Sequence, residues 1–263
     1  MSDSTWKSST PLYDKVAADY DSSFDRPGHR MAWDTLAGEV IEALLPAEPG
    51  IVIDVGCGTG RWPARWMARG HEVVGIERSP AMIEILRERV TGMSFSLIEA
   101  DMEEAVVPTN SADLVVAMGS LQYTRNPAVT LGRFVEWVKP GRPVCVVVDS
   151  LLGLVLDLIR EGKTDEALIR SRSRRGLLAY SGEKADLHLY DRVSLQGDLR
   201  AVGLIDVACR GLLVGVGALG RRACAQAMDA GPEDYLNFER ELGANPALAD
   251  AGLHIIAWGT KTG

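Results

Sequence analysis

Ile51-Val52-Ile53-Asp54-Val55-Gly56-Cys57-Gly58-Thr59-Gly60 is an apolar, β-branched run that stops at a carboxylate and three alternating glycines. Val and Ile favour strands, and a near-continuous run of them marks a strand buried on both faces. Glycines at 56, 58 and 60 let the backbone approach a ligand where a Cβ would collide. The stretch therefore reads as a strand feeding a nucleotide-binding loop, with a helix beginning near Arg61. Spacing constrains the ligand. A dinucleotide fingerprint, Gly-x-Gly-x-x-Gly, would put its third glycine at 61, where this chain has arginine, so a pyrophosphate cofactor is disfavoured.

Working outward, three more strands end at polar or small residues. His71 to Glu77 closes on an acid 21 positions beyond Gly56, near the roughly 20-residue offset of a ribose-binding carboxylate. Ser94 to Ala100 leads into Asp101-Met102, and Ala112 to Met118 ends in Gly119-Ser120-Leu121-Gln122-Tyr123. Ligands of open α/β sheets lie beyond the carboxyl ends of the strands, so these termini are expected around one crevice. Helix signals alternate with the strands. Ser79-Pro80 supplies an N-cap and a first-turn proline ahead of Met82, Ile85, Leu86 and Val90 on one face. Asn126-Pro127 does the same for Leu131, Phe134, Val135 and Val138, and Pro140-Gly141 stops that helix. A fifth strand is expected at Pro143 to Val148, then a helix near Arg192 to Val202 and a strand from Leu204 to about Val214. A helical segment around Arg221 to Leu242 and a strand within Leu253 to Gly259 complete the chain. Trp62 and Trp66, one turn apart, read as packing residues.

This ordered set resembles the class I S-adenosylmethionine-dependent methyltransferases, in the small-molecule branch of the ubiquinone and menaquinone biosynthesis type (type 11). The resemblance covers roughly Tyr13 to Ser150, including Tyr13-Asp14-x-x-Ala17-x-x-Tyr20-Asp21, and is architectural beyond that. It implies an α/β fold with a Rossmann-like, seven-stranded, mostly parallel sheet and helices on both faces. The last strand, His254 to Trp258, would run antiparallel between the fifth and sixth, and a lid would be inserted after the fifth. A single methyltransferase domain over 1–263 is expected, with a cap (1–49), a cofactor-binding half (50–150), a lid (151–190) and a C-terminal part of the sheet (191–263).

Carried over residue by residue, the resemblance sets the methionine end of S-adenosyl-L-methionine against the backbone of Gly56, Cys57, Gly58 and Gly60, with Asp54 beneath. Glu77, followed by Arg78, would hold the ribose hydroxyls. Asp101 would accept from the adenine amino group, Met102 would cover the ring, and Gly119, Ser120 and Gln122 would approach the methionine portion. Tyr13, Tyr20 and Arg30 complete the set, the last a cation suited to the cofactor carboxylate.

Bulk properties narrow the partners. A net charge of −8 over 263 residues argues against nucleic acid, which needs a concentrated positive face. The cluster Arg170-Ser171-Arg172-Ser173-Arg174-Arg175 reads as a solvated loop. Four cysteines without a Cys-x-x-Cys pair indicate neither a disulfide framework nor zinc, and no metal is expected. Met1 to Thr10 has no apolar core for secretion, and no apolar run reaches a membrane span, so a cytoplasmic monomer or homodimer is expected.

Methyl transfer needs in-line geometry; a phenol, hydroxyl or ammonium acceptor must also lose a proton to a nearby base. Of four histidines, His71 and His254 read as structural, which leaves His188 and His29 as catalytic candidates beside Tyr190. Tyr123 and Tyr180 are candidates for shaping an aromatic acceptor site. The fourth strand lacks the Asn/Asp-Pro-Pro-Tyr/Phe element of nucleic-acid amino-methylating enzymes, and no Pro-Cys pair serves cytosine chemistry. The expected function is methylation of a small organic acceptor, such as a secondary metabolite or quinone-type ring in natural product biosynthesis. Alternatives are a peptide N-methyltransferase, an S-adenosylmethionine-using cyclase, a noncatalytic nucleotide-binding protein and a dehydrogenase, the last opposed by Arg61.

Overall fold

A computed structural model describes residues 6–263. Helices α1 (Thr10–Tyr20) and α2 (His29–Leu44) precede β1 (Ile51–Val55), which is followed by α3 (Arg61–Met67), β2 (Glu72–Glu77), α4 (Pro80–Arg89), β3 (Phe95–Glu99) and β4 (Leu114–Met118). Next come α5 (Pro127–Trp137), β5 (Pro143–Asp149), α6 (Leu151–Arg160), α7 (Thr164–Ser173), β6 (Arg175–Tyr180), β7 (Glu183–His188) and α8 (Arg192–Ala201). The chain then forms β8 (Leu204–Leu212), α9 (Val214–Leu219), α10 (Arg221–Ala230), α11 (Pro232–Ala244) and β9 (His254–Lys261).

Seven strands form one sheet in the order β3-β2-β1-β4-β5-β9-β8, with β1 to β5 parallel and β9 antiparallel to both of its neighbours. The order reverses between β1 and β4, and a crevice opens there at the carboxyl ends. Successive side chains of a strand point to opposite faces, and the two cores follow that rule. Val116 and Ile256 pack with Ile41, Trp66 and Met228 on one side, while Val115 and Ile255 pack with Phe134, Leu195 and Leu199 on the other. Trp62 and Trp66 are both buried in the first of these cores. The expected caps form: Ser79 Oγ accepts from the Met82 N–H, and Asn126 Oδ1 from the Val129 N–H.

Within residues 151–190 the structure differs from the reading of Arg170–Arg175 as a solvated loop. The arginine cluster is no loop: it ends α7 and opens a β6–β7 hairpin. Arg170 pairs with Glu166 at 3.2 Å, Arg174 with Asp191, and Arg175 lies over the Trp6 ring. Ser181 and Gly182 both have positive φ (50° and 88°), the backbone of a two-residue hairpin turn. Ser-Gly is a weaker cue for that turn than Asn-Gly, so the hairpin escaped the sequence reading. The segment around 221–242 is likewise two helices, broken at Gly231-Pro232, and α9 follows directly on β8.

The first five residues of the Met1–Thr10 segment lie outside the described residues. Beyond them, Lys7 exchanges hydrogen bonds with Asp186 of the hairpin: its carbonyl accepts from the Asp186 N–H at 3.0 Å, and its own N–H donates to the Asp186 carboxylate at 2.7 Å. Among the described residues no helix is long and apolar enough to cross a membrane. No cluster of His, Cys, Asp and Glu among them has the makings of a metal site.

Candidate active site

The crevice is built from strand ends. Gly56 has φ 75° and a Cβ there would stand 2.5 Å from the Ser120 Cβ; a Cβ at Gly60 would stand 2.3 Å from Leu86 Cδ1. Both positions thus need glycine to close the loop on its neighbours. At Gly58, by contrast, a Cβ would meet nothing within 4 Å, because this part of the loop faces the cleft.

Glu77, last in β2, accepts from the Gly58 N–H at 2.9 Å and from the Arg78 and Ser79 N–H groups at 2.8 Å each. These three bonds lock the carboxylate at the cleft wall and leave about one acceptor site, on Oε2, for a ligand, since a carboxylate offers about four. Arg78 pairs with Asp101 and donates to Ser9 Oγ at 3.0 Å. Asp54 is buried beneath the loop with Oδ1 unpartnered; burial first, and Glu77 second, push its pKa up to about 8.

The resulting cleft holds about 670 Å³ of empty space, its mouth included. Gly56, Gly58, Glu77, Arg78, Asp101, Met102, Gly119, Ser120, Tyr13 and Tyr20 line it, joined by Ser9, Ile76, Met82 and Tyr123. Two carboxylates and apolar Ile76, Met82 and Met102 suit an adenosine. The cleft's one arginine is already paired with Asp101, so phosphates would meet net negative charge. The donor set therefore fits an adenosyl compound without phosphate.

Not every expected contact faces this cleft. Asp54, Cys57 and Gly60 support it from behind; the Cys57 sulfur packs toward Gly75 of β2, and burial raises the thiol's pKa. Arg30 and Gln122 line a second, larger chamber instead, which shares Tyr13, Tyr20, Met118, Gly119 and Tyr123 with the cleft. That chamber has about 1610 Å³ of empty space including its mouth. Its walls are Phe24, His29, Arg30 and Trp33 from the N-terminal helices, Asp149 from β5, and Leu154, Asp157, Leu177, Leu178, Tyr180 and Leu187 from the 151–190 segment. Arg221 and His254 complete them.

His29 is on this wall; burial, then Arg221, lowers its pKa to about 4. The other two catalytic candidates are placed elsewhere. His188 stacks on Trp6 with ring centroids 4.9 Å apart, and Tyr190 is buried in the sheet core among Leu195 and Leu199; neither lines the cleft or the chamber. His188 ends the hairpin opposite Arg175 and Tyr190 lies two residues beyond it. Conversely His254, read as structural, faces the chamber beside Asp149. Asp149 was findable, because it ends a strand in an acid just as Asp54 and Glu77 do or nearly do. His254 and Arg221 carried no such signal; His71 is structural as read, its Nδ1 accepting from the Gly50 N–H at 3.3 Å.

Comparison with known proteins agrees with this geometry. A family model described as a methyltransferase domain matches residues 52–141. Trans-aconitate 2-methyltransferase of Methylobacterium radiotolerans is 34% identical over 112 residues, 42% of each chain. Malonyl-[acyl-carrier protein] O-methyltransferase of Pectobacterium atrosepticum is 28% identical over 106 residues, 40% of this chain and 41% of that protein. These matches thus span about two fifths of the relatives' length. A crystal structure of a SAM-dependent methyltransferase from Thermotoga maritima superposes with a TM-score of 0.61 at 16% identity, covering 96% of this chain and 99% of that one, and shows the same fold. The glycine loop, the acid that ends β2 and the sheet order agree with these likenesses: residues 52–141 match a methyltransferase domain, within a fold shared with a SAM-dependent methyltransferase.

Proposed function

We propose that this protein methylates a small organic acceptor held in the chamber, using S-adenosylmethionine held in the cleft. The supporting observation is the shared wall: Tyr13, Tyr20, Met118, Gly119 and Tyr123 border both spaces, so cofactor and acceptor would meet there. When bound, the cofactor supplies a methyl group made electrophilic by a sulfonium. The chain's own residues bind and orient. Glu77 accepts from the ribose hydroxyls, Asp101 from the adenine amino group, and Met102 covers the base. Burial raises the pKa of Tyr13, Tyr20 and Tyr123, so these rings stay neutral phenols that exclude water. Exclusion of water and fixed orientation supply most of what such a transfer requires of a protein.

In this reading residues 151–190 are a lid over the chamber, within one domain that spans the chain. The chamber's aromatic wall favours a ring-bearing acceptor, such as a secondary metabolite or quinone-type ring. Isothermal titration tests the cofactor: S-adenosylhomocysteine binds and NAD does not, and the reverse result overturns the proposal. Glu77→Ala weakens S-adenosylhomocysteine binding by about 1–3 kcal/mol, roughly 5- to 150-fold, because a hydrogen-bond acceptor is lost. Unchanged affinity would remove Glu77 from the ribose site.

A further inference from the structure

Three aspartates line the chamber. Asp19 is exposed to solvent, whereas Asp149 is half-buried and Asp157 buried, and these two are neutralised differently. Asp157 meets arginines: it accepts from Arg160 Nη1 and pairs with Arg221 at 2.8 Å. Asp149, the last residue of β5, meets neutral groups. Gln122 Nε2 donates to its Oδ2 at 2.9 Å, and His254 Nε2 stands 3.4 Å from its Oδ1, directly opposed across the β5–β9 pairing. Burial lowers the His254 pKa against the pull of Asp149, and burial, then Arg221, lowers that of His29 to about 4, so neither imidazole brings a charge at neutral pH. Among the described residues no arginine or lysine forms an ion pair with Asp149. Arg30, on the same wall, stands instead over the Tyr20 and Phe24 rings, 5.7 and 5.4 Å from their centres.

A half-buried carboxylate without a counter-cation is unfavourable, and a ligand cation relieves it. A carboxylate offers about four acceptor sites, so with Gln122 and His254 as donors about two remain, and 29% of the side chain is exposed to receive a ligand there. The position is the seam of the two cavities. Tyr123, next to Gln122 in the chain, borders both, and so does Tyr13, whose ring packs edge-on to it at 5.7 Å. Burial first, with Asp149 among the nearby charges, raises the pKa of both phenols, and neutral rings beside a carboxylate attract a cation further. We propose that Asp149 anchors the protonated nitrogen of an amine acceptor at this seam, so that the protein is an N-methyltransferase of ring-bearing amines. The inference rests on the proposed methyl transfer. A hydroxyl acceptor would leave the Asp149 charge uncompensated, and an acceptor carboxylate would be repelled by it.

Protons and charges balance in the step. An ammonium has no electron pair to share, so it first gives one proton to water at the chamber mouth, while a remaining N–H stays on the carboxylate. The freed nitrogen pair bonds to the methyl carbon, and the carbon–sulfur bond breaks with its electrons left on sulfur. The positive charge of the sulfonium thereby ends on the methylated nitrogen, still opposite Asp149. His254 takes no proton: its Nε2 faces Asp149, and its Nδ1 is buried without a partner.

The test uses the whole protein saturated with S-adenosylhomocysteine. Calorimetry compares tyramine, which carries a phenol at one end and an ammonium at the other, with 4-ethylphenol, the same frame without the nitrogen. Tyramine binds about tenfold or more tighter, the worth of a hydrogen bond to a charged group. Asp149→Asn abolishes that preference by lowering tyramine affinity, while affinities for S-adenosylhomocysteine and 4-ethylphenol stay within about twofold of wild type. With S-adenosylmethionine instead, the wild type converts tyramine to N-methyltyramine, identified by mass spectrometry. Equal affinity for the two probes, a preference that survives in Asp149→Asn, absence of N-methyltyramine, or methylation at the phenol oxygen overturns the proposal. Failure of the wild type to bind S-adenosylhomocysteine overturns the cofactor reading instead, so the two are separable. Should Asp149→Asn not fold, the two wild-type measurements decide.

Discussion

The cofactor cleft and the acceptor chamber adjoin, yet they are built differently. The cleft comes mainly from one continuous stretch of the chain: the loop after β1, the ends of β2 and β4, and the segment after β3, all within residues 54–124, with Ser9, Tyr13 and Tyr20 closing it. The chamber gathers residues from α1, α2, β5, the 151–190 segment, α10 and β9. The cleft's essential groups are backbone and short acids at strand ends, positioned by the sheet itself. The chamber's groups are long or aromatic side chains placed by packing between distant segments. A parallel sheet thus gives one rigid site at its switch point, and the second site is free to take its form from whatever covers it.

The sharpest way to break that contrast is Gly56→Ala. The left-handed backbone costs a non-glycine residue about 1–2 kcal/mol, and overpacking against Ser120 adds roughly 1–3 kcal/mol. S-adenosylhomocysteine affinity should fall about a hundredfold or more, while tyramine still enters the chamber. Titration calorimetry with each ligand checks both halves; an equal loss of both would show that the two spaces are one unit.

A second test concerns the floor of the cleft. Asp54 holds its proton up to about pH 8 in the fold, whereas the unfolded chain releases it near the usual carboxylate range. The folded state therefore binds the extra proton between those limits, and stability falls as pH rises through them. Asp54→Asn removes that slope, with a gain over wild type that grows by roughly 1–3 kcal/mol from about pH 5 to about pH 8. Urea unfolding at the two pH values measures it, and parallel slopes would place the charge elsewhere.

The smallest effect is expected at the chamber's cover. Asp157, buried on α6, accepts from Arg160 Nη1 and pairs with Arg221 of α10 at 2.8 Å, tying the 151–190 segment to the C-terminal helices. Asp157→Ala should cost about 1–2 kcal/mol of stability, since both arginines retain access to water. S-adenosylhomocysteine affinity should stay within about twofold of wild type, which corresponds to well under 1 kcal/mol. A large loss of cofactor binding would mean that the cover also organises the cleft.

Much of the cleft was legible before any coordinates. Alternating glycines, β-branched runs and strand-terminal acids are local signals whose spatial meaning is set by the sheet, so Gly56, Gly58, Glu77, Asp101, Met102 and Ser120 could be placed together from their order in the chain. Arg30 and Gln122 were associated with the same space and instead face the chamber, because a side chain's direction on a short helix or turn is not fixed by its position in the chain. His188 and Tyr190 looked apt on residue type and location after the lid. The hairpin that His188 ends and Tyr190 follows decides where they point, and its Ser181-Gly182 turn was not recognised.

By itself the sequence determined the strand–helix alternation, because that depends on local backbone preference and on the period of the apolar pattern, while the seven-stranded order with its antiparallel last strand was what the family resemblance implied. Only the tertiary structure decided that His254 joins His29 on the chamber wall. Asp149 and His254 are 105 residues apart (254 − 149) and become neighbours through antiparallel pairing of β5 with β9. Nothing local encodes that register; it arises from burying both faces of the sheet at once, and the chamber's chemistry comes with it.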